Sequence, residues 1–291
     1  MSGVLKKLDE LSPSELEACL AERPALVLPL GTIEWHSHHL PLGLDGIKAG
    51  NIGAAVAERS GAVLAPTSWW AAGGVPFPYT LRLPGNLIEN LLREVLIQFA
   101  GMGFRTLVVL NGHYGLENSI SVRRAAVDCM RGTASTVLPI AEYEVLLDLG
   151  ATGDHAGVWE TSLLWAARPD LVRLDRTDAD GGLPGVVGED PRGRATRELG
   201  LQGTDEVAGK VSVAIERALD QSALDRERFV GAVEASLRAL GALQSMRETR
   251  PRSEVPPVVT PAWVEHLRAL HSGRYEDATR HATAKFYRPG D

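Results

Sequence analysis

The sequence predicts an α/β protein whose mostly parallel sheet is covered by helices on both faces. Three observations carry this. Short apolar runs recur at 26–30, 62–66, 105–111 and 135–140. Stretches of helical period separate them, at 47–60, 86–102 and 116–131. The runs are apolar throughout instead of alternating, which is the pattern of strands buried on both faces in βαβ units.

Taken in order, the first element is a helix over 13–22. Ser12 precedes Pro13 and stands three residues before Glu15, a helix start of capping-box type. ALVLPL follows and supplies the first strand, 26–30. After the helix at 47–60, AVLAP at 62–66 is a short buried strand. The long amphipathic helix at 86–102 leads to RTLVVLN, the strand at 105–111. The helix at 116–131 leads to STVLPI, the strand at 135–140. Residues 155–167 read as a helix ended by Pro169. The segment 178–204, DADGGLPGVVGEDPRGRATRELGLQGT, is rich in Gly, Asp and Arg and reads as an irregular surface excursion. A long helix then runs from about 222 to 243. RETRPRSEVPPVVTPAW is a Pro-rich linker to a short helical tail, so the chain divides into a main domain, 1–245, and a C-terminal extension, 246–291.

Bulk properties exclude some functions. Lys and Arg total 30 against 37 Asp and Glu, a net charge of -7 with no long run of either sign. Nucleic acid or an anionic membrane as main partner would favour a clustered basic face, so neither is expected. The N-terminal stretch has no apolar core of the kind a signal peptide carries, and no apolar run reaches membrane-spanning length. Cys19 and Cys129 lie far apart in predicted helices, which suggests neither a disulfide framework nor a thiolate metal site. A cytoplasmic protein is the expectation.

Polar residues crowd at strand ends, where loops of a parallel sheet converge on ligands. GTIEWHSHHLPLGLD, 31–45, holds three of the eight histidines together with Glu34 and Asp45. NGHYGLEN, 111–118, follows another strand, and GDHAGVWETS, 153–162, opens a helix. A single histidine at a strand end is usually a hydrogen-bonded structural residue. Jointly, Glu34, His36, Asp45 and His113 form a mixed nitrogen and oxygen donor set for Zn²⁺, Mn²⁺ or Fe²⁺. In Glu34-x-His36, alternate residues of an extended chain point the same way. Gly112 allows a sharp turn that brings His113 toward the same point. Glu160 and Glu117 compete for a further ligand place, Asp154 reads as a helix cap, and His38 and His39 are weaker candidates. Trp69, Trp70 and the segment 73–85 form an aromatic, Pro-rich loop that serves either as a substrate wall or as packing at a loop or subunit contact.

Together these clusters resemble the creatininase (creatinine amidohydrolase) family. The carrying motifs are Gly-x-x-Glu-x-His-x-x-His-x-x-x-x-x-Asp at 31–45, Asn-Gly-His-Tyr at 111–114 and HAGVWETS at 155–162, with the Gly-rich segment 185–200 behind them. The resemblance covers about 20–245. It implies a three-layer α/β/α sandwich, often assembled as hexamers, and metal ligation by Glu34, His36, Asp45 and His113, with Asp45 bridging two ions. Glu160 matches the carboxylate of the third motif, and His155 a histidine at the reaction centre. The chain departs from the family in four places. Gly115 and Leu116 intervene before Glu117, LPGN stands at 83–86, and the stretch near Trp69 and the tail after 246 are unusual.

The expected reaction is metal-assisted hydrolysis of a C–N bond in a small cyclic or linear amide. His155 shuttles a proton to the leaving nitrogen, with Glu117 as a further catalytic candidate. Tyr114, Trp159 and Trp70 are the candidates for substrate contact. The alternatives are an oxidised-cyclitol or ring-ketone hydrolase, a peptidase or formamide hydrolase of cofactor or secondary-metabolite synthesis, and a metal-dependent binding or scaffold protein. The expected partners are a small-molecule substrate and further copies of the chain.

Overall fold

The computed structural model describes residues 5–284. Its sheet is parallel, with strands β1 (Ala25–Leu30), β2 (Val63–Leu64), β3 (Thr106–Asn111) and β4 (Thr136–Ala141) in the order β2-β1-β3-β4. Ala25 stands opposite Thr106 and Leu30 opposite Asn111, while Asn111 stands opposite Ala141. The three long strands therefore end level with one another. Every residue of β1, β3 and β4 is buried, as their unbroken apolar patterns require.

The connections fix the layers. From β1 the chain steps outward through α2 (Leu44–Ser60) to β2. It then returns through α3 (Gly85–Gly101) to β3 and continues through α4 (Leu116–Gly132) to β4. Right-handed crossovers running in opposite directions place their helices on opposite faces. α2 therefore covers one face, where α5 (Val158–Ala167) and α6 (Arg197–Asp220) join it, and α3 and α4 cover the other. The result is a three-layer α/β/α sandwich. Because β1 and β3 are adjacent and their chains depart to opposite sides, their carboxyl ends flank a topological switch point.

The core between the layers is built from Leu26, Leu30, Ile52, Leu96, Leu107 and Leu110, all fully buried. Each such side chain stabilises the fold by about 1.5–3 kcal/mol relative to exposure. At the start of the chain, α1 (Pro13–Glu22) is capped as its sequence suggests: the Ser12 backbone N–H donates to Glu15 Oε2 at 2.8 Å.

Several elements differ from expectation, each for an identifiable reason. β2 is two residues long. The chain continues beside β1 through Ala65 N–H to Val27 O and Ser68 N–H to Pro29 O, but Pro66 has no donor and interrupts the ladder. α5 begins at Val158 instead of 155, since Ala156 holds φ +53 and its turn cannot be helical. The irregular excursion ends at 196, and α6 takes the rest. Its glycines are packing residues: a Cβ on Gly200 would lie 1.8 Å from the Ser162 carbonyl oxygen of α5. Composition read as loop is here a close helix–helix contact.

α7 (Ala223–Thr249) runs past the 245/246 boundary. The C-terminal α8 (Pro261–His271) and α9 (Tyr275–Thr283) fold back, burying Trp263, Leu267 and Ala278 in the same core as the sheet. Cys19 and Cys129 are free and buried. Among the described residues no helix is long and apolar enough to cross a membrane.

Candidate metal centre

The switch point is where the polar clusters meet. The loop after β1 turns at once against α2, and Gly31 allows it: a Cβ there would lie 2.2 Å from Gly46 N. Asp45, in the first turn of α2, is thereby set beside Glu34 and His36. From β3, Gly112 approaches equally closely, its virtual Cβ 2.4 Å from the Asp45 carbonyl oxygen. Asn111 then shapes the turn, donating from Nδ2 to His113 O at 2.8 Å and accepting from His113 N–H at 3.1 Å. Asn118 donates to both of those oxygens and locks the arrangement.

The resulting geometry is a shared carboxylate between two histidines. Asp45 Oδ1 lies 3.1 Å from His36 Nε2, and Asp45 Oδ2 lies 3.1 Å from His113 Nδ1. Glu34 Oε1 is 2.9 Å from His113 Nδ1, 3.8 Å from His36 Nε2 and 3.6 Å from His155 Nδ1. Glu160 Oε2 approaches His36 Nε2 to 3.7 Å. Three donor sets thus have ligand atoms within 4.8 Å of one another: Glu34 with His36 and His155, Glu34 with Asp45 and His113, and His36 with Asp45 and Glu160. The last two share Asp45.

Backbone carbonyls orient the rings. His36 Nδ1–H donates to Glu34 O (3.1 Å), His113 Nε2–H to Ala72 O (3.2 Å) and His155 Nε2–H to Trp35 O (2.8 Å). In every ring the other nitrogen faces the carboxylates, the arrangement by which outer hydrogen bonds present a ligand nitrogen to a metal. Asp45 Oδ1 and His36 Nε2 are buried and have no hydrogen-bond partner, so this donor set fits divalent ions.

Electrostatics agree. Burial opposes a charged His36 ring, but Asp45, Glu160 and Glu34 outweigh it and raise the pKa to about 9. His113 rises well above its usual value against the same burial, through Glu34 and Asp45. Burial also opposes the Asp45 carboxylate, yet the two rings hold it far below the usual range. The pocket favours positive charge at its centre, whether protons or metal.

The remaining candidates divide. His155 is half-buried and stacks on His36 with ring centroids 4.5 Å apart. Glu160 is buried, on the first turn of α5. Asp154 caps that helix, accepting from Trp159 N–H (2.7 Å) and Glu160 N–H (3.3 Å); burial and the Glu160 charge push its pKa to about 7. Glu117 is exposed outside the centre, where its Oε1 accepts from Gly85 N–H at the start of α3. Tyr114 turns its hydroxyl to Glu142 (2.9 Å) instead of toward the histidines. The Trp159 ring packs over Gly203 of α6, and Trp70 is 49% exposed. His39 meets Thr161 Oγ1 at 3.1 Å and ties the loop to α5, while His38 is exposed beside Trp35.

Lys48 and Glu142 were missed. Lys48 is fully buried on α2, its Nζ 2.9 Å from Glu142 Oε2 and 3.1 Å from Glu160 Oε1. The signal was present: Asp45, Lys48, Ile52 and Val56 share one inward helical stripe, and a lysine in such a stripe is unusual. A cavity of about 570 Å³ between α6 and α8 shares none of these residues, and its Lys210 and Arg268 are both paired with Asp148.

A carboxylate and histidine centre at the switch point of an α/β/α sandwich is a donor set suited to divalent metal, and the family match identifies the class as hydrolase. The Creatininase family profile, described as creatinine amidohydrolase, matches residues 9–216, and the chain belongs to that family. It is 32% identical over 193 residues to a creatinine amidohydrolase of Pseudomonas putida, covering 57% of this chain and 74% of that protein. It is 31% identical over 188 residues to a mycofactocin precursor peptide peptidase of Mycobacterium ulcerans (strain Agy99), covering 61% and 72%. A solved creatininase Mn structure superposes with a TM-score of 0.66 at 26% identity, over 75% of this chain and all of that one.

Proposed function

We propose that the protein is a metal-dependent amidohydrolase that cleaves the C–N bond of a small cyclic or linear amide. The observation that carries this is Asp45, which presents one oxygen to each of two histidines and so joins two three-donor sets. Glu34, Asp45 and His113 would hold one ion, and His36, Asp45 and Glu160 would hold a second. Bound there, divalent ions supply Lewis acidity and bring the pKa of water down to about 7. The relatives support the bond type, since an amidohydrolase and a peptidase both hydrolyse amides.

The chain's own residues supply the rest. His155 has spent Nε2 on Trp35, leaving Nδ1 at the edge of the centre, 3.6 Å from Glu34 Oε1. From there it holds a proton and passes it to the leaving nitrogen, a transfer that amide cleavage requires because an amide anion is a very poor leaving group. Exposed Leu87 and Leu91, one turn apart on α3, support self-association into the homo-oligomer, a hexamer, that the family resemblance implies. Two free cysteines accord with a cytoplasmic setting.

The test is hydrolysis of creatinine, small lactams, formamides and short peptides by protein loaded with Mn²⁺ or Zn²⁺. His155→Ala should keep its metal and lose turnover by about 10²-fold or more. Undiminished hydrolysis after the metal is stripped, or an unimpaired His155→Ala enzyme, would overturn the corresponding assignment.

A further inference from the structure

We propose that Lys48 is a positioning residue that divides the Glu160 carboxylate, holding Oε1 on its ammonium so that Oε2 alone is presented to the metal centre. The proposal rests on the metal reading above and concerns how one of its ligands is set.

Lys48 lies one turn after Asp45 on α2, so the same helix face carries the shared carboxylate and the clamp on a second one. Its Nζ is surrounded by Tyr114 OH at 2.7 Å, Glu142 Oε2 at 2.9 Å, Glu160 Oε1 at 3.1 Å and Gly112 O at 3.2 Å, and it sits 4.1 Å from the Tyr114 ring centroid. An ammonium has three protons, so all are engaged and none faces the histidines. The other Glu160 oxygen accepts from Ala156 N–H at 2.8 Å and turns to His36 Nε2 at 3.7 Å. That amide is aimed by a left-handed backbone, φ +53, at a residue with a Cβ, a conformation that costs energy and is retained at functional sites. Both oxygens of Glu160 are thus fixed from opposite sides, and the carboxylate cannot rotate to offer both to one ion.

A simpler role is that Lys48 only neutralises Glu142, which is fully buried and has Oε1 without a hydrogen-bond partner. The two roles make different predictions. Lys48→Met alone would strand the Glu142 charge and destabilise the fold for that reason. Lys48→Met with Glu142→Gln removes cation and anion together and keeps the volume. If Lys48 only neutralises, this double variant binds metal as the wild type does.

The experiment is a calorimetric titration of metal-free protein with Mn²⁺, with melting temperature followed in parallel. Glu160→Gln identifies the ion that depends on Glu160. The double variant should fold, and should bind that same ion ~10–100-fold more weakly, the usual effect of losing an outer partner of a ligand, with the other ion unchanged. Glu142→Gln alone should bind both ions normally. Adding Glu160→Gln to the double variant should weaken binding no further than Glu160→Gln does, the signature of residues acting as one unit. Normal binding by the double variant, equal weakening of every ion, or additive losses would overturn the positioning role and leave the metal reading standing. A wild-type protein that binds no Mn²⁺, or a Glu160→Gln variant that binds it normally, would overturn both.

Discussion

Replacing Asp45 by Asn tests the shared-ligand geometry most directly. The carboxylate is fully buried, with one oxygen 3.1 Å from His36 and the other 3.1 Å from His113. Its loss acts twice. In metal-free protein, His36 is raised from 6.5 to about 9, with Asp45 the largest influence opposing burial. That displacement corresponds to about 3 kcal/mol. For a group whose folded pKa is raised, the contribution is complete below 6.5 and is lost as pH rises through about 9. Glu160 and Glu34 share in that displacement, so metal-free Asp45→Asn should melt lower than wild type at pH 6 by up to roughly 5 °C for a chain of this length, and the gap should narrow toward pH 9. In the presence of metal, Asn offers one neutral oxygen where Asp offers two charged ones, so one donor set loses a ligand and the other its shared negative charge, and the affinity for both ions should fall. Elemental analysis after dialysis gives the stoichiometry, and thermal denaturation across pH gives the slope. A variant that retained one ion at wild-type affinity would refute the bridging role. A melting gap that widened with pH would refute the electrostatic account.

Three further outcomes follow from the geometry. Glu117→Gln should leave metal content and turnover unchanged and cost no more than about 1 kcal/mol, because its carboxylate caps the Gly85 N–H of α3 and does not reach the centre; loss of metal in this variant would return Glu117 to the ligand set. Gly112→Ala should lower both melting temperature and metal affinity, since its Cβ would lie 2.4 Å from the Asp45 carbonyl oxygen and 3.1 Å from Ala49 Cβ; an unperturbed variant would show that the two loops are not in close contact. Acidification should loosen the C-terminal helices: burial lowers His266 to about 4, and the neutral ring joins Ser236 of α7 (2.6 Å) to Ala278 O of α9 (2.8 Å). For a histidine with a depressed pKa, the unfolded chain takes up the extra proton, so about 3 kcal/mol is present above 6.5 and is lost as pH falls toward about 4. Amide exchange in α8 and α9 should rise over that interval in wild type, and an equal rise in His266→Phe would show that another group is responsible.

What could be read in the sequence follows from what a linear pattern encodes. Strand periodicity and the order of helices and strands are local, so β1, β3, β4 and their helices were visible, as was the crowding of polar residues where those strands end. Glu34, His36 and Asp45 lie within one loop and the helix start after it, and His113 follows the adjacent strand. Their meeting therefore needed only a parallel sheet. The choice between Glu117 and Glu160 was not local. Each sits in the first turn of a helix opening beside a polar motif, and only the packing of α5 against α2 brings Glu160 inward while α4 leaves Glu117 outside. Gly200 and Gly203 show the opposite failure. A glycine carries the same letter whether it frees a loop or lets two helices touch, and nothing nearby in the sequence distinguishes the two.

Lys48 shows why the site and the fold cannot be assigned separately. Glu34, Asp45, Glu142 and Glu160 are all buried to 1% exposure or less, and Lys48 is the one permanent cation among them in the described residues. Burying four carboxylates costs several kcal/mol each unless charge is returned to them. The lysine answers for Glu142 and half of Glu160. The oxygens left over are Oε1 of Glu34, both oxygens of Asp45 and Oε2 of Glu160, which face the histidine nitrogens, while Glu34 Oε2 accepts from Val75 N–H. At these positions a divalent ion would relieve the same excess of negative charge that raises the histidines. Metal binding and folding would then be coupled through one charge balance, with the buried lysine setting which carboxylate oxygens remain for the metal.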